Sequence, residues 1–180
     1  MSLENTKTAE NLRAALAGES IARNKYTYFA QAARDCGNIA VAEAFEQMAK
    51  NEMMHAKFWF EQIYGKPSDI TECLTQAAQG EYMEWHDMYP GFAQQAREDG
   101  LEELAVMFEK VAAIERSHEN RFMTLLAELS RTPASPAVPA AKEKREGYRC
   151  QFCGAVFDGR PDVCDTCGAI GAFEYVEYYE

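Results

Sequence analysis

Two short motifs constrain this chain more than any other feature. Glu52-Met-Met-His55 and Glu115-Arg-Ser-His118 stand 63 residues apart, and each falls on the apolar face of a long helical pattern. Glu-x-x-His spacing puts a carboxylate and an imidazole one turn apart on the same face of a helix. Four helices are predicted around them, over 5–35, 39–64, from Ser68 or Asp69 to near Gly100, and 101–130, with Cys36-Gly37-Asn38 and Gly65-Lys66-Pro67 as stop signals. Pro90 falls inside the third. It lacks an N–H, frees the carbonyl of His86, and predicts a kink or a local bulge.

Every one of the four apolar stripes contains a carboxylate where a core residue is expected. Glu19 lies among Leu12, Leu16, Ala22, Tyr26 and Phe29. Glu52 and His55 are in phase with Phe45, Met48, Ala49, Ala56, Trp59 and Ile63. Glu81 is flanked by Leu74, Ala77, Ala78, Met88 and Phe92, with Glu84 one turn on. Glu115 and His118 accompany Leu104, Met107, Phe108, Val111, Phe122 and Leu125. Any one such glutamate is ordinarily a surface residue on a stripe drawn too wide. Five converging ones are a different matter, because desolvating even one unpaired carboxylate costs several kcal/mol. No lysine or arginine lies on these stripes to compensate, and two metal ions would supply the missing charge. One glutamate from each of two helices and a Glu-x-x-His pair from each of the other two is the ligand pattern of di-iron carboxylate bundles. Carboxylates with imidazole suit iron or manganese better than zinc. His86 sits about 140° round the helix from Glu81 and is read as a non-ligand.

The helical half is internally repeated. Phe29-Ala-Gln-Ala-Ala-Arg34 matches Phe92-Ala-Gln-Gln-Ala-Arg97 at an offset of 63, as do Phe45-Glu46 with Phe108-Glu109, Glu52 with Glu115 and His55 with His118. Gly18-Glu19 matches Gly80-Glu81 at 62, a slip of one residue. Two similar helical hairpins related by a pseudo-two-fold axis follow.

Composition changes after Ser130. Pro133, Pro136 and Pro139 recur every three residues in a stretch, 131–147, that reads as an extended solvated linker. The remainder, 148–180, is too small to fold on its own core and needs a staple. Cys150-Gln-Phe-Cys153 and Cys164-Asp-Thr-Cys167 provide four thiolates at the spacing of a tetrahedral metal site, which by spacing alone accepts zinc or iron. Cys36 and Cys73 read as ordinary small residues or surface thiols. The formal net charge of −11 argues against nucleic acid or an anionic membrane as partners. Neither an apolar signal sequence nor a membrane-spanning run is evident, so a cytoplasmic location is expected.

The ordered set Glu19, Glu52-x-x-His55, Glu81-x-x-Glu84, Glu115-x-x-His118, Cys150-x-x-Cys153-Gly and Cys164-x-x-Cys167-Gly resembles the rubrerythrins over nearly the whole chain. The resemblance implies a mainly α fold: a ferritin-like four-helix bundle over 1–130 followed by a small rubredoxin-like β/loop domain. It implies two irons in the carboxylate–histidine site and one iron, rather than zinc, in the four-cysteine site. By the same resemblance Glu52 and Glu115 bridge both irons, Glu84 and His55 are alternative ligands of one iron in its oxidised and reduced states, and Tyr26 and Tyr89 hydrogen-bond ligand carboxylates. The implied activity is reduction of hydrogen peroxide to water, with electrons arriving from a reduced-pyridine-nucleotide reductase through a small rubredoxin- or ferredoxin-type carrier. Asp165 departs from the family, which often carries proline there.

The short connection between the second and third helices adds an expectation about assembly. In a ferritin-like bundle these helices run parallel, and the chain would have to return about 35 Å along the bundle. Four or five linker residues, 65 to 68 or so, reach at most about 17 Å. A homodimer in which the first hairpin of one chain packs with the second hairpin of another is therefore expected. Rival readings are a ferroxidase or iron-storage protein with the same ligands, a redox or iron sensor with a structural zinc ribbon, and, more weakly, a di-iron oxygenase.

Overall fold

The computed structural model describes residues 6–131 and 144–179. Helix α1, Lys7–Asp35, starts where the Thr6 hydroxyl accepts the Ala9 N–H at 3.1 Å. It stops at Cys36-Gly37, where Gly37 turns the chain at a φ of 75°. Asn38 caps α2, Ile39–Tyr64, by accepting the Val41 N–H. Asp69 caps α3, Ile70–Met83, by accepting from both Thr71 and Glu72. The third predicted helix is not continuous. A π-helical turn, Glu84–Met88, separates α3 from α4, Tyr89–Glu98, and the Tyr89 N–H reaches back to the Glu84 carbonyl. Pro90, in the first turn of α4, cannot donate, so the bulge predicted there falls immediately before it. The last helix is α5, Glu102–Leu129.

The chain divides into two compact units at Ser68 and Asp69. The first is the α1–α2 hairpin. Its helices approach through alanines, with Ala30 and Ala42 fully buried or nearly so. The second contains the equivalent hairpin of α3–α4 and α5, where Ala93 and Ala105 take the same places. The sequence repeat extends to contacts. Tyr26, Phe29 and Phe45 form an aromatic triad with centroids 5.5–6.5 Å apart, and Tyr89, Phe92 and Phe108 form its counterpart at 5.6–6.2 Å. Arg34 pairs with Glu46 at 2.6 Å, and Arg97 with Glu109 at 2.7 Å. The repeat offset grows from 62 at Glu19/Glu81 to 63 at Tyr26/Tyr89, so the second hairpin holds one additional residue between Glu81 and Tyr89. The π-helical turn occupies that interval. Larger stripe residues of each hairpin, among them Phe29, Met48, Phe92 and Met107, are exposed.

The second unit also carries a three-stranded antiparallel sheet in the order β2-β1-β3, with β1 Lys144–Cys150, β2 Val156–Phe157 and β3 Phe173–Tyr179. Of the stretch read as linker, 132–143 lie outside the described residues. Its last four residues belong to β1, where pairing with β3 takes precedence over their charged composition. Tyr148 faces Phe157 on one side and Tyr175 on the other. Two knuckles project from this sheet as near copies. Gly154 donates to the Cys150 carbonyl and Gly168 to the Cys164 carbonyl, while the N–H groups of Cys150 and Cys164 bond Ala155 and Ala169. The core of this small domain, Cys150, Ala155, Cys164 and Phe173, is completed by Ile114 from α5.

Candidate metal centres

Each hairpin brings together one carboxylate–histidine set. In the first, Nδ1 of His55 lies 2.8 Å from Glu52 and 3.7 Å from Glu19. In the second, Nδ1 of His118 lies 2.6 Å from Glu115 and 3.9 Å from Glu81. The donor atoms of each set all fall within 4.8 Å of one another. Two ligands at right angles on one metal, with bonds of about 2.1 Å, are separated by about 3 Å, so these sets match one metal each. Glu52 and Glu115 are the most covered of the six, with side chains 18% and 16% exposed, whereas both imidazoles are over 40% exposed.

The two sets differ where the sequence does. Glu84, the extra glutamate, stands at the start of the π-helical turn and is half-buried. It is not one of the converging donors. Its charge is nevertheless felt nearby. Burial first, then Glu115, hold the Glu81 carboxyl above the usual carboxylate range, with Glu84 adding to the shift and His118 opposing it. Burial also pushes the Tyr89 phenol up, reinforced by Glu84, Glu115 and Glu81. Tyr26 and Tyr89 are both half-buried in their aromatic triads. His86 belongs to no donor cluster among the described residues. It stacks on Tyr82 and pairs with Asp87.

The four cysteines form the third set. Cys150 and Cys167 sulfurs are 3.7 Å apart and Cys153 and Cys164 sulfurs 3.6 Å. A tetrahedron with metal–sulfur bonds of about 2.3 Å has edges of about 3.8 Å, so the thiols already sit at metal-holding separations. Backbone N–H groups are turned toward the sulfurs. Burial raises the Cys164 thiol, but the N–H groups of Cys167 and Thr166 outweigh it and bring it down to about 7. Burial pushes Cys153 up to about 12 against the N–H of Ala155. Cys36 is exposed and Cys73 half-buried, apart from this cluster.

Other contacts in the second unit gave no signal in the sequence. The Trp85 indole donates to Glu119 at 2.7 Å, and the Arg116 guanidinium lies 5.5 Å over the Trp85 ring. Lys110 reaches both the carboxylate and the carbonyl of Asp165 at 3.3 Å.

Comparison with known proteins agrees with the donor sets. The rubrerythrin family model matches residues 10–126 and, in a second overlapping match, 72–145. The chain is 36% identical over 184 residues to rubrerythrin-1 of Clostridium acetobutylicum, covering 92% of each protein. It is 34% identical to the rubrerythrin of Porphyromonas gingivalis, covering 92% of this chain and 88% of that one. With the rubrerythrin of Nitratidesulfovibrio vulgaris the identity is 33%, covering 92% of each. Among solved structures, fully reduced, all-ferrous nigerythrin aligns at 28% identity with a TM-score of 0.41, over 97% of this chain and 91% of that one. The carboxylate–histidine residues fit two irons and the four cysteines fit one. The helical hairpins constitute the ferritin-like part and the stapled sheet the rubredoxin-like part; the chain belongs to the rubrerythrin family.

Proposed function

We propose that this protein is a non-haem di-iron peroxidase of oxidative-stress defence, reducing hydrogen peroxide to water with electrons delivered through the four-cysteine iron. The observation that carries this reading is the seat of the first cysteine knuckle on α5, beside His118 of the second carboxylate–histidine set. An iron-storage role would leave that docked redox domain without a purpose.

Conversion of one peroxide to two waters takes two electrons and two protons. When bound, the iron pair supplies the electrons to the O–O bond and offers open coordination positions. Glu19, Glu52, His55, Glu81, Glu84, Glu115 and His118 would hold it, with Glu84 and His55 as alternative ligands. Tyr89 keeps its phenolic proton at Oη, because burial and the surrounding carboxylates oppose its ionisation. Tyr26 is its counterpart in the first hairpin. The half-buried glutamates limit water around the site while the exposed imidazole edges leave an approach for a small molecule.

The functional assembly is a helix-swapped homodimer. The five-residue connection, 65–69, supports it, and so do the exposed apolar side chains of each hairpin, which need a partner surface. No helix among the described residues is long and apolar enough to cross a membrane. The working location is the cytoplasm, and the donor chain runs from a reduced pyridine nucleotide through a small electron carrier. A monomer in sedimentation with all its iron bound would overturn the swapped assembly.

One anaerobic titration tests the reaction. The fully reduced protein receives hydrogen peroxide in steps while the visible ferric–thiolate band is followed. Stoichiometric return of colour, much faster than with air, is the expected result. A chain that shows no such band in any state would hold zinc and would not be this enzyme. Faster return with oxygen than with peroxide would overturn the proposed substrate.

A further inference from the structure

Glu84 has no counterpart in the first hairpin, and neither has the group of side chains that holds the residue after it. The indole N–H of Trp85 donates to the Glu119 carboxylate at 2.7 Å, in a half-buried bond from the π-helical turn to α5. The Arg116 guanidinium, one helical turn earlier on α5, lies over the same ring at 5.5 Å from its centroid. Tyr82 and His86 each meet the indole edge-on at 5.4 Å and stack on one another at 4.8 Å. At the repeat offset of 63, Arg116 and Glu119 correspond to Met53 and Ala56. At the offset of 62 that holds before the turn, Tyr82 corresponds to Ser20 and Trp85 to Arg23. The first hairpin therefore lacks the extra glutamate, the ring that follows it and the acceptor for that ring.

Adjacent residues share a backbone, so a contact that fixes one side chain limits its neighbour. Pro90 has no N–H and crowds the carbonyl four residues back, which places the wide turn before it. That accounts for where the turn lies along the helix and leaves its rotation about the helix axis open. Within the turn the Tyr89 N–H reaches the Glu84 carbonyl, and the regular α-helical bonding is interrupted. A ring anchored on α5 by its N–H edge and by its face supplies the missing setting. The Glu84 carboxylate then stands outside the converging donors, while its charge still reaches Glu81 and Tyr89.

We propose that Trp85 is a positioning residue for Glu84: the indole, bonded to Glu119 and covered by Arg116, holds the rotation of the π-helical turn and thereby the distance between the Glu84 carboxylate and the Glu81–Glu115–His118 donors. This rests on the reading of Glu84 as an alternative iron ligand and deepens it.

Two measurements on the full, iron-loaded chain test it. The first is a redox titration of the iron pair followed by Mössbauer spectroscopy. A carboxylate ligand favours ferric over ferrous iron, so withdrawing it raises the reduction potential. Trp85→Phe keeps a ring, changes no charge and removes the N–H. In it the ferric preference of one iron should fall at least about tenfold, a rise of about 59 mV in a one-electron potential. Glu84→Ala should raise the potential at least as much, and adding Trp85→Phe to it should alter the preference by less than about twofold. A ring that served packing alone would lower stability without moving the potential, or would shift it equally with and without Glu84. Either result overturns the proposal.

The second measurement is amide hydrogen exchange over 84–89, read by mass spectrometry. Exchange there should be at least about tenfold faster in Trp85→Phe, the scale of one hydrogen bond to a charged group. It should be unchanged in Glu119→Gln, whose amide oxygen still accepts the indole N–H. Should Trp85→Phe fail to hold iron, Glu119→Ala removes the same bond from α5 and should show the faster exchange instead. Wild-type protection over 84–89 in the tested variant, or loss of protection in Glu119→Gln, overturns the proposal. A wild-type potential in Glu84→Ala defeats the ligand reading alone, and the exchange measurement then decides whether Trp85 holds the turn.

Discussion

The indole N–H of Trp85 donates to the Glu119 carboxylate at 2.7 Å, joining the residue that follows Glu84 to the residue that follows His118. The bond crosses from the π-helical turn to α5 and is half-buried. Arg116 lies over the same ring, so the indole is held from two directions. This contact ties the position of Glu84 to that of the carboxylate–histidine set. Replacing Trp85 with Phe keeps most of the packing and removes the donor. A hydrogen bond to a charged group contributes about 1.5–3 kcal/mol net, so Trp85→Phe should destabilise the second hairpin by that order, measured by denaturant unfolding.

Glu84→Ala tests the role assigned to the extra glutamate. Peroxide turnover should fall by at least about tenfold, the lower end of what removal of groups around a metal costs. Stopped-flow measurement under anaerobic conditions checks this, with iron content determined on the same sample. Full turnover in the variant would remove Glu84 from the ligand set.

The Arg97–Glu109 pair makes stability pH-dependent on the acid side. The hydrogen bond from Arg97 holds the Glu109 carboxyl below its ordinary 4.5. A carboxyl depressed in the folded state stabilises fully above its unfolded value and loses that contribution as pH falls through the folded one. Arg97→Ala should therefore lower stability at pH 7 and flatten its decline below about pH 4.5. Chemical denaturation at a series of pH values from 2.5 to 7 reads both effects.

Metal loading of the cysteine domain should be steeply pH-dependent. Cys153, held up to about 12 by burial, must surrender a proton to become a ligand. Affinity should rise by at least about tenfold per pH unit across pH 7–9, one factor of ten for each thiol proton displaced. Competition with a chelator of known affinity measures it. Removing the metal should also unfold the small sheet, because its core is closed largely by Cys150, Ala155, Cys164 and Phe173. Loss of amide protection in β1 and β3 is the observable.

Much of this architecture was legible in the sequence because the signals are local. The helix stops at Cys36-Gly37 and Gly65, the cap at Asp69 and the bulge near Pro90 each depend on a few neighbouring residues. The paired ligand sets were legible because the repeat places the same chemistry at the same helical phase twice. What escaped is contact between distant segments. Lys144–Gly147 has the composition of a solvated linker and becomes strand only because Val176–Tyr179 lies alongside it. The bonds from Trp85 to Glu119 and from Lys110 to Asp165 span 34 and 55 residues, and neither side chain's type foretells its partner. Sequence reasoning also placed the large apolar residues in a core, whereas Phe29, Met48, Phe92 and Met107 are exposed and it is alanines that are buried.

The π-helical turn has a consequence for symmetry. A single additional residue wound into five positions lets the helical frame before Glu84 and the frame after Met88 both stay in step with the first hairpin. The duplication is thus preserved in its aromatic triads and its arginine–glutamate pairs while being broken at one point only. The break coincides with the residue that has no counterpart, since the positions in the first hairpin corresponding to Glu84 are Ile21 or Ala22. Glu84 thus gives the second carboxylate–histidine set a neighbouring charge that the first set lacks. A chain shortened by one residue between Glu84 and Met88 would carry the offset of 62 on through Tyr89 and throw the second aromatic triad and arginine–glutamate pair out of step with Glu81, while Glu84 would still have no counterpart.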